Sequence, residues 1–374
     1  MMSPIEHGSR FWRDLRKASA RHGLPLPRLL VRMSLLALLH EYWPHEALLS
    51  GLAQADLPKQ VFAGCISKRR LLGLQRRVNP RQLWWWTEDK AVFYAYCAGA
   101  GLPVPRLHGV LDGASGWQPG GRDLITEQDW EELLLTKLPE DFVIKPARGV
   151  YGEGVRFYSR RAGAFHDARA QRFTAGDILR SLRGDPSYDK FVVQERLWSH
   201  PTLERLSGTP YVQTVRMVTY VDPKGEAALY LAFLKVIVGD NPIDNFCSGR
   251  TGNISCPVDL ERGTLGAAVG VSPDRLGIVR HDRHPTSGSV FAGTQLPWWR
   301  EACQLVREAA LRFLPLRTIG WDVALTRAGP VIVEGNMAWD PADDVILGSA
   351  ADVKPHEMPS LLRQLKRDGS AARA

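Results

Sequence analysis

The chain has 374 residues, 44% of them hydrophobic and 24% charged, which is ordinary for a globular protein with two or three subdomains. Its five cysteines are widely spaced and form no CxxC pair, so we expect free thiols in a reducing compartment rather than a disulfide framework. Residues 3–28 contain six Arg and Lys side chains and no long apolar core, so we expect no secretory signal peptide and a cytoplasmic location.

Positive charge is concentrated near the start of the chain. Residues 1–80 contain 13 Lys and Arg against 5 Asp and Glu, a difference of +8 that equals the net charge of the whole chain. The apolar run 29–39 is about half the length of a membrane span and includes Arg32, so we do not expect it to cross a bilayer. Two interpretations stay open. This basic helical region binds an anionic membrane surface or an acidic partner, or it is an ordinary helical subdomain packed on the core, which is the commoner arrangement.

The elements before residue 140 are mainly helical. Residues 1–78 predict helices, and Asn79-Pro80 marks a break. Thr87 is the predicted N-cap of a helix that includes Lys90 and ends near Ala98. A short strand near Val104 and a helix over residues 129–135 follow.

A lysine-bearing strand and a glycine loop come next. Residues 141–146 predict a buried strand that carries Lys145, followed by a loop with Gly149 and Gly152 and a second strand from Gly154. A lysine near the end of an apolar strand is costly to bury unless an anion meets it, and a glycine loop can place backbone N–H groups over phosphates. This pattern predicts a nucleoside triphosphate site. It is not the strand-to-helix phosphate loop, because the lysine precedes the glycines and a strand follows.

The middle of the chain predicts a strand over residues 191–195 and a hairpin of 211–221 with 226–238. Arg216 and Lys235 lie within these apolar strands. Each needs an anionic partner, and a phosphate, a substrate carboxylate or a structural carboxylate would serve. Residues 297–313 predict a helix with proline in its first turn.

The last predicted element is a hairpin of residues 319–326 and 330–336. A three-residue loop over 327–329 would place Asp322 opposite Glu334, and Asn336 would share their face because strand side chains alternate. These oxygen ligands would repel each other unless a hard divalent cation lay between them. We therefore predict a magnesium site. The prediction depends on the register, since a slip of one residue turns Asp322 to the other face.

These segments, taken in order, resemble the ATP-grasp superfamily, and most closely its sugar-transfer-associated, glutamate-ligase-like proteins. The resemblance runs over roughly residues 79–345 and rests on the stretches 87–90, 101–105, 141–155, 193–197, 214–216, 244–245, 284–288 and 319–336. It implies an α+β fold in which two α+β lobes close on a nucleotide. The implied domains are a helical region 1–78, nucleotide-binding subdomains 79–195, a metal and substrate subdomain 196–350 and a tail 351–374.

The resemblance also implies roles for individual residues. Residues 194–197 would form the hinge that reads adenine, with Glu195 at its amino group. The family tends to have arginine near position 235, so Lys235 is a departure. The implied nucleotide-binding residues are Lys90, Lys145, Gly149, Gly152, Gly154, Gln194, Glu195, Arg196 and Leu197; the catalytic residues are Arg216, Lys235 and Asn245; the Mg²⁺ ligands are Asp322, Glu334 and Asn336.

The implied activity is an ATP-dependent ligase that joins a carboxylate to an amine or thiol through an acylphosphate, in cell-surface polysaccharide or peptide-like metabolite biosynthesis. Two alternatives stay open: a kinase that phosphorylates a small-molecule hydroxyl, and a non-catalytic module with a basic nucleic-acid or membrane-surface region. No aromatic-interleaved basic stretch indicates nucleic-acid binding. His281 and His284 have no third ligand at zinc spacing. The sequence carries no signal for an oligomeric state.

Overall fold

Two seven-stranded antiparallel sheets form the centre of the protein, as a computed structural model shows for residues 4–54, 59–149, 152–349 and 353–371. In the first sheet the strand order is β2-β1-β7-β3-β4-β5-β6, and in the second it is β12-β11-β10-β9-β8-β13-β14. The strands are β1 Leu107–Asp112, β2 Ser115–Trp117, β3 Asp141–Pro146, β4 Arg156–Arg161, β5 Ala164–His166, β6 Arg172–Phe173, β7 Lys190–Glu195, β8 Thr214–Val221, β9 Ala227–Val236, β10 Ile254–Pro257, β11 Ala268–Val271, β12 Ile278–His281, β13 Thr318–Thr326 and β14 Gly329–Asn336.

Helices cover the sheets and form the start of the chain, so the predicted α+β class is confirmed. They are α1 Pro4–His22, α2 Leu26–His40, α3 Pro44–Leu49, α4 Lys59–Phe62, α5 Lys68–Val78, α6 Trp85–Glu88, α7 Lys90–Gly99, α8 Glu127–Glu132, α9 Ala175–Arg183, α10 Pro201–Ser207, α11 Trp299–Arg312, α12 Asp343–Gly348 and α13 Met358–Ala371. The five cysteines are free thiols, and Cys97, Cys256 and Cys303 are buried.

Separate apolar cores stabilise the sheets and the helical region. Helices α8 and α9 bury Trp130 and Ile178 on the first sheet, while α7 and α11 pack on the second sheet around Trp321 and Phe313. Helices α1 to α3 share a core of their own. The segment 351–374, predicted as a tail, contains α13, which buries Leu361 and Leu365 in one cluster with α5. Burial of such side chains on both sides of each sheet is the main source of stability.

Two helix starts differ from the prediction. Helix α7 is capped by Asp89, not Thr87, because the Asp89 carboxylate accepts hydrogen bonds from the backbone N–H groups of Ala91 and Val92, at 3.0 and 3.4 Å. Thr87 lies inside the preceding helix α6. Pro297 precedes α11 instead of starting it, since Trp298 adopts a left-handed backbone conformation with φ 55°.

In the final hairpin Asp322 pairs with Glu334 as predicted, but the loop and the register of the strands differ from the prediction. Its loop has two residues, Arg327 and Ala328, because Thr326 pairs with Gly329; the predicted three-residue loop is wrong. With a two-residue loop alone, Asp322 would face Val333. A β-bulge between Asp322 and Val323 absorbs one residue of β14, so Asp322 pairs with Glu334 after all.

One buried carboxylate ties the helical region to the second sheet. Asp343, at the start of α12, accepts hydrogen bonds from the Tyr42 hydroxyl at 2.6 Å and from the Ile66 backbone N–H at 3.0 Å. Burial raises the pKa of Asp343 to about 7. Because Tyr42 and Ile66 precede α3 and α5, this single side chain fixes both segments against the body of the protein.

We predict that Tyr42→Phe lowers the free energy of unfolding by about 1–3 kcal/mol, since it leaves a buried acceptor with one donor fewer. Urea denaturation measures the change. In an Asp343→Ala background the same substitution should cost much less, because its partner is already absent. An equal loss in both backgrounds would show that the Tyr42–Asp343 hydrogen bond is not the stabilising contact.

Candidate active site

A cavity of about 460 Å³ lies between the two sheets, within the size range of small-molecule sites. Most of the predicted site residues line it. They are Lys90, Lys145, Gly149, Gly152, Gln194, Arg196, Leu197, Arg216, Lys235, Asn245, Asp322, Glu334 and Asn336. Gly154 and Glu195 do not line it. Side chains from distant parts of the sequence thus converge on one space.

Lys145 is a buried ammonium group without a carboxylate partner. Its side chain nitrogen donates a hydrogen bond to the Tyr94 hydroxyl at 2.7 Å, and that hydroxyl donates to the Val333 carbonyl at 2.9 Å. No ion pair among the described residues includes Lys145. Burial, helped by the Lys90 charge and opposed by Glu334 and Asp322, lowers the pKa of Lys145 to about 7. An anion in the cavity would complete this environment.

Sequence reasoning missed Tyr94, although a signal for it exists. Tyr94 follows Lys90 by four residues on α7, a spacing that puts both side chains on one helix face. Its hydroxyl therefore lies on the same side of α7 as the Lys90 side chain, where it holds the Lys145 ammonium in place.

Lys90 lies at the start of α7, where that helix meets the end of β3. Its backbone N–H donates to the Ala147 carbonyl at 2.9 Å, which fixes the helix start beside the glycine loop. Its side chain nitrogen lies 3.3 Å from the Gly149 carbonyl oxygen and 3.6 Å from a Glu334 carboxylate oxygen. Lys90 thus connects the glycine loop to the final hairpin.

The glycine loop passes close to two other segments. Residues 150 and 151 lie outside the described part, but Gly152 and Gly154 have φ of 75° and 73°. A Cβ atom at Gly152 would lie 2.8 Å from Ile243, and one at Gly154 would lie 2.8 Å from Pro146. Gly154 was predicted to bind the nucleotide; instead its backbone packs on the end of β3, and it shapes the loop from outside the cavity.

A row of charges crosses the second sheet at Arg216, Asp322 and Glu334, which are paired across β8, β13 and β14. The Arg216 guanidinium donates to both Asp322 carboxylate oxygens, at 2.7 and 3.2 Å, and the Lys235 ammonium lies 2.8 Å from the second. Burial acts to raise the pKa of Asp322, but the charges of Arg216 and Lys235 prevail and lower it to about 2. Asp322 therefore stays ionised at physiological pH.

This row corrects one expectation and supports another. The three predicted metal ligands were expected to repel each other strongly without a cation. Instead, protein cations already compensate Asp322, and the Asn336 amide lies 3.5 Å from it. Arg216 and Lys235 needed an anionic partner, and the structure provides a carboxylate of the protein itself.

The donor set of the hairpin fits Mg²⁺, which prefers carboxylate and amide oxygens. Glu334 and Asn336 lie two residues apart on β14 and point to the cavity, while Gly335 between them packs against Phe93 and Trp321 with no room for a side chain. No group of three His, Cys, Asp or Glu side chains suited to a metal occurs in the described residues. Glu334 and Asn336 are the available ligands, because Asp322 is engaged by two cations.

Of the side chains in the segment 194–197, all but that of Glu195 line the cavity. Glu195 was predicted to read the adenine amino group, but its carboxylate accepts a hydrogen bond from the Arg106 backbone N–H at 2.8 Å. Its neighbour Gln194 does face the cavity, and its side-chain oxygen has no hydrogen-bond partner among the described residues. The Arg196 guanidinium stacks 4.1 Å from the Trp198 ring centre and 5.3 Å from that of Tyr211.

Other side chains also line the cavity. Asp244 belongs to the stretch 244–245 that supports the family resemblance, whereas Lys68, Asp340, Gln75 and Trp339 were missed by sequence reasoning. Asp244 accepts hydrogen bonds from the backbone and hydroxyl of Thr214, and Lys68 lies 2.7 Å from Asp340. Lys68 and Gln75 belong to α5, so the helical region contributes to the cavity wall.

The family comparison identifies the chain. A family described as sugar-transfer associated ATP-grasp matches residues 69–349, about three quarters of the sequence. The chain belongs to this ATP-grasp family. The predicted resemblance and the predicted fold are therefore confirmed. The match begins within α5 and ends just after α12, so it includes every cavity residue except Lys68.

Several solved structures share similarity with this ATP-grasp chain. The ADP complex of purK, an N5-carboxyaminoimidazole ribonucleotide synthetase, is 14% identical with a TM-score of 0.39, and the match covers 73% of this chain and 52% of that one. D-alanyl-alanine synthetase A from Vibrio cholerae is 9% identical with a TM-score of 0.43, covering 76% and 66%. The chain thus spans half to two thirds of the length of these proteins. No curated protein matches it.

We predict that nucleotide binding is coupled to proton uptake by Lys145. In the free protein its pKa of about 7 leaves it mostly neutral near pH 8, and phosphates would restore the charge. Calorimetry of ATP binding in buffers of different ionisation enthalpy should show uptake of roughly one proton near pH 8, where ATP itself is fully ionised, and much less near pH 6.

Lys145→Met should abolish this uptake and weaken ATP binding about tenfold to a hundredfold, because it removes a charge-assisted contact. Lys137→Met, at an exposed lysine, is the control. Unchanged uptake and affinity in Lys145→Met would show that Lys145 does not contact the nucleotide.

We also predict that Asp322→Asn lowers the free energy of unfolding by about 3–5 kcal/mol, since it leaves two buried cations without their carboxylate. Asp274→Asn provides a matched control at a partly exposed ion pair with Arg21, where the loss should stay below about 1 kcal/mol. Chemical denaturation compares the two. Equal losses would contradict the central role of Asp322 in the charge row.

Proposed function

We propose that this ATP-grasp protein is an ATP-dependent ligase that joins a carboxylate to an amine, or to a thiol, through an acylphosphate. The observation that carries the proposal is Lys145, a buried ammonium that faces a cavity and has a neutral hydroxyl as its partner. Lys90 contacts both the glycine loop, at Gly149, and the acidic hairpin, at Glu334. This arrangement suits a polyanion that brings its own charge.

The proposed reaction has two steps. A substrate carboxylate oxygen attacks the γ-phosphorus, the bond from that phosphorus to the bridging oxygen breaks, and ADP leaves. The amine nitrogen then attacks the acyl carbon, the carbon–oxygen bond to phosphate breaks, and the nitrogen loses a proton. The products are an amide, ADP and inorganic phosphate. Neither step needs a nucleophilic protein side chain, so the task of the protein is positioning and charge neutralisation.

Named residues account for that task. Lys90 and Lys145 would hold the phosphates, and the glycine loop would cover them and exclude water. Gln194 would hydrogen-bond the adenine edge with its unpartnered oxygen, and Arg196 with its aromatic neighbours would border the base. Bound at Glu334 and Asn336, Mg²⁺ would neutralise charge on the phosphates. Arg216 and Lys235, anchored by Asp322, would keep positive charge near the transferred phosphoryl group.

The ionisation of Asp322 bears on the kinase alternative. A kinase needs a base to accept the hydroxyl proton. Asp322 has a pKa of about 2 and is engaged by Arg216 and Lys235, so it is a poor base. A substrate carboxylate needs no base, and in this respect the state of Asp322 supports the ligase.

The part of the cavity that Lys68, Asp340 and Asn245 line would hold the substrates. Lys68 and Asp340 place one charge of each sign there, and Asn245 adds an amide. Such groups suit a carboxylate and an amine. The family description points to sugar transfer, so we propose acceptors from cell-surface polysaccharide or peptide-like metabolite biosynthesis.

We predict that turnover releases ADP and phosphate only when both a carboxylate and an amine or thiol acceptor are present. A screen of amino acids, amines and sugar acids, read by chromatography of the nucleotide products, tests this. AMP with pyrophosphate would instead indicate adenylate chemistry. ADP release with a hydroxyl compound alone, accompanied by its phosphorylation, would identify a kinase.

Glu334→Gln should abolish this turnover, because it keeps the shape of the side chain but removes an anionic metal ligand. It should also remove most of the increase in melting temperature that ATP with Mg²⁺ produces in the wild type. Glu308→Gln, on the exposed face of α11, is the matched control. Retention of activity and of the Mg²⁺-dependent shift in Glu334→Gln would rule out the metal assignment.

A further inference from the structure

Helix α2 has two apolar faces, and the helical core covers only one of them. Leu29, Met33 and Leu36 are buried in the core that α1, α2 and α3 share. On the other side, Val31, Leu35, Leu38 and Leu39 follow one another at helical spacing and are 61%, 50%, 79% and 63% exposed. Aliphatic side chains exposed in a continuous row mark an interaction surface. We call these four residues the α2 outer face.

Exposed tryptophan and basic residues occur on the elements next to α2. Trp12 on α1 and Trp43, three residues after α2, are about half exposed. Arg13, Arg16 and Lys17 lie with Trp12 along one surface groove of α1. These three cations have no carboxylate partner among the described residues. They belong to the first 80 residues, whose excess of positive charge equals the net charge of the chain.

We propose that α1 and α2 bind the surface of a bilayer that contains anionic lipid. The α2 outer face would enter the boundary between headgroups and acyl chains, the tryptophans would lie at the headgroup level, and the α1 cations would meet lipid phosphates. Charge complementarity selects this occupant, since the exposed groups combine aliphatic side chains, tryptophan and unpaired cations. A nucleic acid would use the cations but gain nothing from a leucine row.

The packing of α2 defines how the helix would meet the bilayer. Its inner face contacts the helical core along its length, so α2 lies parallel to the surface of the protein. Among the described residues no single helix has the length and hydropathy of a membrane span; α1 and α2 reach them only as a pair, and that pair is bent by 114°. Binding in the plane of the surface follows from this packing.

A hydrogen bond links the helical core that contains α2 to the wall of the cavity. Helix α3 of the same core contacts the start of α5 through Glu46, which accepts a hydrogen bond from the Lys68 backbone N–H at 2.7 Å. Lys68 in turn lines the cavity. The region proposed to bind lipid is therefore directly connected to the wall of the proposed substrate end.

Co-sedimentation of the full chain with lipid vesicles tests the proposal. Wild type should bind vesicles of phosphatidylcholine with phosphatidylglycerol at least about tenfold more tightly than vesicles of phosphatidylcholine alone. Leu35→Glu/Leu38→Glu should weaken binding to the mixed vesicles about tenfold or more. Arg13→Glu/Arg16→Glu should remove most of the preference for anionic lipid.

The control is Leu311→Glu/Leu314→Glu, which makes the same change of charge at two exposed leucines elsewhere on the protein. It should bind vesicles like the wild type. Circular dichroism and ATP binding show whether each variant is folded, and substitutions at these six exposed or partly exposed sites should not affect either. The proposal is overturned if wild type binds neither vesicle, which would leave an acidic protein as the partner, or if the control loses as much binding as the α2 variant.

Discussion

The ammonium group of Lys145 is held out of water between two sheets, with a tyrosine hydroxyl rather than a carboxylate as its hydrogen-bond partner. Burying such a group unpaired is unfavourable, and the protein responds by lowering its pKa to about 7. An anionic ligand reverses this penalty. The proposed nucleotide affinity therefore depends on an arrangement that is incomplete without a ligand, while the folded cores on either side of the cavity hold it in place.

Asp322 is the second constraint, and it acts within the protein. It accepts contacts from Arg216 and Lys235, so three strands of the second sheet share one charge cluster. The bulge in β14 keeps Glu334 opposite Asp322 despite the two-residue loop. Because Asp322 is already compensated, Glu334 and Asn336 remain available to a cation. Within the hairpin, Asp322 therefore holds Arg216 and Lys235 in place, whereas Glu334 and Asn336 are the candidate metal ligands.

Much of the site was predictable, because its signals are local in the sequence. Lys145 stands out in an apolar strand, and Glu334 and Asn336 stand out by alternation. The bulge was not predictable, since nothing in the residues of β14 distinguishes a three-residue loop from a two-residue loop with a bulge. The predicted loop was one residue too long and the bulge was not foreseen, and because these two errors cancel, the pairing of Asp322 with Glu334 was predicted correctly. Glu195 and Tyr94 show that contacts with residues distant in the sequence were also not predictable. The direction of the Glu195 carboxylate is set by Arg106, and the partnership of Tyr94 with Lys145 is set by packing between α7 and β3.

The central claim is that a nucleoside triphosphate lies between the two sheets, with its phosphates at Lys145. A crystal structure of the protein with a non-hydrolysable ATP analogue and Mn²⁺ tests this most directly, since the anomalous signal of Mn²⁺ locates the metal. The account predicts phosphate oxygens within hydrogen-bond distance of the Lys145 and Lys90 ammonium groups, and Mn²⁺ at Glu334 and Asn336. An analogue bound outside the cavity, or phosphates beyond the reach of a Lys145 that contacts only Tyr94, would contradict it.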